Sequence, residues 1–86
     1  MFETFPADHI NRLKLIAERC VKRGELTEAE TLYRDVVALL EEYSDQPIHR
    51  LPVLYELATV LEVQNKRNEL IDVVQRIRKV LFERAS

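Results

Sequence analysis

Glycine and cysteine occur once each in this chain, as Gly24 and Cys20, and tryptophan not at all. A lone glycine excludes a glycine-rich loop that would cradle phosphate. A lone cysteine excludes an internal disulfide framework and a Cys-rich zinc site. No apolar run approaches the roughly 18 residues that a membrane-spanning helix requires, so no membrane insertion is expected. An excess of one charge is lacking as well. The formal net charge of −2 gives no overall steering toward nucleic acid or an anionic membrane. The opening Met1-Phe2-Glu3-Thr4-Phe5 has neither a basic n-region nor an apolar h-region, so no secretory signal is expected and a cytoplasmic setting is the default.

What is present is helical. The apolar 47% of the 86 residues is dominated by Leu, Val, Ile and Ala, and Glu, Lys and Arg make up most of the remainder. Pro6 opens a first helix, with Ile10, Leu13, Ala17, Cys20 and Val21 on one face. Arg19, Lys22 and Arg23 favour the negative end of its dipole, and Gly24 supplies a left-handed cap. Thr27-Glu28-Ala29-Glu30 reads as a capping box that starts a second helix. Ala29, Leu32, Tyr33, Val36, Val37, Leu40 and Tyr43 form its stripe, and Pro47 lies beyond its end. A third helix is expected to begin between His49 and Pro52, with Leu54, Tyr55, Ala58 and Leu61 at helical spacing and Val60 as a further candidate. After a polar break at 64–68, where Asn65 or Asn68 could cap, a fourth takes Leu70, Val73, Val74, Ile77, Val80 and Leu81. The chain therefore reads as two antiparallel helical hairpins in series.

The hairpins match when the sequence is slid by 41 positions: Leu13 falls over Leu54, Ala17 over Ala58, Cys20 over Leu61, Tyr33 over Val74 and Val36 over Ile77. Small residues at Ala17 and Ala29, with Gly24 before the turn and Tyr33 one turn beyond Ala29, resemble the tetratricopeptide repeat family. Leu13 stands where that family places an early Trp, and the second unit carries Asn65 for Gly24 and Leu70 for Ala29. The family period is about 34, so roughly seven additional residues fall in the second helix or in the 45–51 connection. The resemblance implies an all-α fold, two TPR-like hairpins stacked as a short right-handed α-solenoid. One domain would cover 1–86, with repeat one at about 8–45 and repeat two at about 49–85.

The family binds peptides or helices on the concave face lined by the first helix of each pair. By position, that implies Asn11, Lys14, Glu18 and Lys22 from the first unit, and Tyr55, Thr59 and Glu62 from the second. Some members hold a C-terminal carboxylate with paired Lys and Asn. Lys14 fits one such place, but Glu18 replaces the Asn and repels a carboxylate. An ordinary solvated helix face is the competing reading of these residues.

Ile71 and Phe82 lie off the main stripe of the fourth helix, and with Arg78 they are the candidate self-association residues of an expected homodimer. Acids crowd the second helix (Glu28, Glu30, Asp35, Glu41, Glu42) and bases the fourth (Arg67, Arg76, Arg78, Lys79, Arg84), a pattern for docking within or between molecules, or for two solvated faces. No catalytic residue, metal or cofactor is expected. Cys20 occupies the slot that matches Leu61, which reads as a buried thiol rather than a partner for His9 or His49. The expected function is a non-catalytic interaction module for a peptide or helix of another protein. The alternatives are a dedicated chaperone or obligate subunit folding around one helical partner, and a small nucleic-acid binder using 66–84. The last is disfavoured because aromatic residues for base stacking are sparse there.

Overall fold

Apolar residues at steps of three and four produce four α-helices in the computed structural model, which describes residues 4–85. Phe2 and the side chain of Arg84 lie outside the described residues. The helices are α1 (Ala7–Lys22), α2 (Leu26–Tyr43), α3 (Leu51–Val63) and α4 (Arg67–Ala85), with a single 3-10 turn at Pro47–Arg50. The described residues contain no strand.

The two hairpin turns end their first helices in the same way. At the first, the Glu25 N–H donates to the Cys20 carbonyl at 2.8 Å and the Gly24 N–H to the Val21 carbonyl at 3.0 Å. At the second, the Lys66 N–H donates to the Leu61 carbonyl at 3.0 Å and the Asn65 N–H to the Glu62 carbonyl at 3.0 Å. This is the Schellman arrangement, which needs a left-handed residue after the cap. Gly24 supplies it at φ 77° and Asn65 at φ 59°. Asn tolerates that region because its short polar side chain can bond locally.

The start of α2 differs from the capping box read in the sequence. The helix begins at Leu26, one residue before Thr27, and Glu25 at its N-cap makes no side-chain capping bond. Thr27 sits in the first turn, where its carbonyl accepts from the Thr31 hydroxyl at 3.1 Å. Glu30 is engaged elsewhere. It accepts from Arg34 Nε at 3.0 Å, from Gln64 Nε2 at 3.1 Å and from Lys66 Nζ at 2.8 Å. The expected cap is thus a clamp that ties α2 to the α3–α4 turn. Burial pushes the Glu30 carboxyl up, but the bonds from Lys66, Arg34 and Gln64 outweigh it and hold it below the usual range.

Helices pack in chain order: α1 on α2, α2 on α3, α3 on α4. The resulting body is a slab of 40 × 30 × 15 Å with α3 inside it. Ala17 and Ala29 are fully buried and let their helices approach closely. Because α3 has neighbours on both sides, six of its residues are buried: Leu51, Val53, Leu54, Leu57, Val60 and Leu61. In α4 the buried side is Val73, Ile77 and Val80, and two residues assigned to its core stripe from the sequence, Val74 and Leu81, stand exposed. Val21 is exposed too, at the end of α1. Arg76 Nη2 meets Glu41 Oε2 at 2.9 Å, which pairs one base of the fourth helix with one acid of the second within the molecule.

Candidate interaction groove

The face of α3 that looks toward α4 carries Leu54, Ala58 and Leu61 at helical spacing. Alongside them runs an open groove of about 370 Å³, lined by Tyr55, Ala58, Thr59, Glu62, Leu70, Val74, Ile77 and Arg78. Tyr55 and Val74 are 49% and 40% exposed, and beyond the lining Ile71, Leu81 and Phe82 extend the apolar strip along α4.

The first hairpin shows what such a groove does when occupied. Counting back 41 positions, Ala58, Leu70, Val74, Ile77 and Arg78 correspond to Ala17, Ala29, Tyr33, Val36 and Val37. Those five are all buried, because α3 packs against α2 over them. Helix α3 presents Val53, Leu57 and Val60 on that side, at spacing i, i+4, i+7. The side chain of Glu56 comes with them and lies beside Tyr33. Burial, then the nearby Glu56 carboxylate, pushes the Tyr33 hydroxyl well above its ordinary pKa. The same positions in α1 are Arg12, Ile16 and Arg19, all exposed. Both edges of the slab expose apolar side chains, Leu15, Ile16 and Val21 on α1 and Ile71, Val74, Leu81 and Phe82 on α4, with Phe82 the most exposed of them at 77%.

The structure divides the residues singled out in the sequence. Tyr55, Thr59 and Glu62 line the groove together with Arg78, one of the self-association candidates. Ile71 and Phe82 continue its apolar strip, with Phe82 77% exposed. Asn11, Lys14, Glu18 and Lys22 lie along α1, outside this groove, with Lys14 half-buried and the other three exposed. Val74, Leu70 and Ala58 were missed as groove residues. Their signal was the 41-position match itself, which sets Val74 opposite the buried Tyr33.

The other reactive side chains sit apart. Cys20 is buried, and burial followed by Glu25 and Glu28 pushes its thiol above the ordinary value, away from a thiolate at neutral pH. His9 lies eleven residues earlier on the same helix, about 16 Å along its axis. His49 Nδ1 is 2.7 Å from the Ser44 hydroxyl in the connection. Among the described residues no group of three His, Cys, Asp or Glu side chains could hold a metal ion, and no helix is long and apolar enough to cross a membrane. In comparisons with known proteins, no family model matches the chain, nor does any curated protein or solved structure.

Proposed function

We propose that this protein is a non-catalytic protein–protein interaction module, a tetratricopeptide-like pair of hairpins stacked as a short α-solenoid, which seats a helix in the α3/α4 groove. One observation carries the reading. The corresponding groove of the first hairpin is filled by a helix of the chain itself, while that of the second is open and apolar. Fully burying a Val, Leu or Phe contributes about 1.5–3 kcal/mol, and a helix that covers this strip gains the share belonging to the exposed parts of Ile71, Val74, Leu81 and Phe82. The occupant's contact face would carry branched aliphatic residues at i, i+4 and i+7, as α3 does toward α2.

The test is calorimetric titration with a designed helical peptide bearing Val, Leu and Val at that spacing on an otherwise polar helix. Val74→Glu is expected to weaken binding at least tenfold, and Lys14→Glu to leave it unchanged. Loss of binding with Lys14→Glu and not with Val74→Glu would transfer the function to the α1 face.

A dedicated chaperone or obligate subunit is the second reading, supported by the exposure of Ile71, Val74, Leu81 and Phe82 along one helix. Nucleic-acid binding by 66–84 has less support, because Lys66 and Arg76 are already paired with Glu30 and Glu41.

A further inference from the structure

We infer that the pocket where the 3-10 turn meets α4 binds a monocarboxylate joined to a small apolar body. This pocket, of about 390 Å³, shares no lining residue with the α3/α4 groove. Local sequence builds it. Pro47 opens the turn, and Arg50 closes it one residue before α3 begins. Arg76, Lys79, Val80 and Glu83 stand at i, i+3, i+4 and i+7 along α4, which places them on one face. Leu54 and Val80 are buried, and with half-buried Pro47 they give the pocket an apolar wall.

The charged part of the lining is Arg50, Arg76 and Lys79 with Glu41 and Glu83. Arg76 and Glu41 are paired with each other at 2.9 Å. With that pair discounted, Arg50 and Lys79 outnumber Glu83, so the pocket carries a local positive excess. Arg50 is half-buried, and its Nε is enclosed without a hydrogen-bond acceptor. A cation held in this way has given up water and met no anion in exchange, an imbalance that an anion in the pocket offsets. The planar guanidinium fork matches the two oxygens of a carboxylate. Glu41 and Glu83 limit the charge that can enter, because they repel a dianion more strongly than a monoanion. The wall of Pro47, Leu54 and Val80 favours a carboxylate that carries a few methylenes over a bare one.

Amide chemical-shift mapping and calorimetry with hexanoate test this, with hexanamide as the uncharged match and inorganic phosphate as the competing anion. Hexanoate is expected to shift amides at 47–50 and 76–83, and hexanamide to bind about tenfold more weakly or worse. Arg50→Gln and Lys79→Gln should each weaken hexanoate by about tenfold. Lys79 is exposed, so its variant should keep the fold even where loss of Arg50 disturbs the turn, which circular dichroism checks. Glu41→Gln frees Arg76 and removes an opposing charge, so it should tighten binding, an effect that a merely structural role for these residues would not give. A tripeptide ending in leucine separates the sources of the carboxylate. Tighter binding than hexanoate, lost on amidation, assigns it to a peptide C-terminus, and weaker binding assigns it to a free acid. Absence of shifts with millimolar hexanoate, equal binding of hexanamide, tighter binding of phosphate, or indifference to Lys79→Gln would overturn the inference.

Discussion

The two hairpins of this chain share one kind of turn and end in different circumstances. In the first, the groove between α1 and α2 is sealed by α3, and Tyr33, Val36 and Val37 are all at most 3% exposed. In the second, nothing within the described residues covers the matching groove, and Val74 stands 40% exposed. The same spacing of apolar residues therefore yields core in one hairpin and surface in the other. Burial here is decided by the next helix along, not by the stripe itself.

Truncating the residue that fills the first groove should break the comparison most sharply. Leu57→Ala leaves a cavity in the buried seam between α2 and α3 and should cost about 2–5 kcal/mol in urea denaturation. Its counterpart Ile16, 40% exposed on α1, should cost well under about 1 kcal/mol when changed to Ala. Comparable losses at the two positions would mean that the hairpins are not offset copies with one groove filled.

A smaller effect is expected at the turns. A Cβ added at Gly24 meets nothing within 4 Å, so Gly24→Ala is opposed only by its φ of 77° and should cost about 1–2 kcal/mol. Asn65→Gly keeps the left-handed geometry and should alter thermal stability by only a few tenths of a kcal/mol. Substituting Val for Asn65 should resemble the Gly24 change.

The smallest effect concerns Glu30, the link from the first hairpin to the second turn. Its carboxyl is held below its unfolded value of 4.5, so its contribution is complete above that pH and declines as pH falls through the lower, folded value. Removing the Lys66 amine should cost at most about 1 kcal/mol at neutral pH, since Lys66 is 38% exposed. Comparing acid titrations of the wild type and Glu30→Gln should show a shallower decline in the variant.

Much of the architecture was legible in the residues. Gly24, Pro47 and Pro52 punctuate the helices because each restricts or frees the backbone locally, and the structure places turns or helix starts beside all three. The fully buried Ala17 and Ala29 were likewise readable as close-approach positions. The Thr27 capping box was not reliable, because Glu30 finds Lys66 and Gln64 from 34–36 residues away, partners that no local pattern contains. The groove was only half legible. Tyr55, Thr59 and Glu62 were singled out, but Val74 and Leu81 were assigned to the core, since a helical stripe does not say which neighbouring element covers each of its residues. The match of Val74 to Tyr33 holds for sequence position and fails for environment.

Amide chemical-shift mapping during titration with the α3-patterned helical peptide tests the central claim most directly, that the α3/α4 groove is the working surface. The account predicts shifts concentrated at 55–62 and 70–82, with 7–22 unmoved. Shifts clustered on Asn11, Lys14, Glu18 and Lys22, with α4 silent, would contradict it.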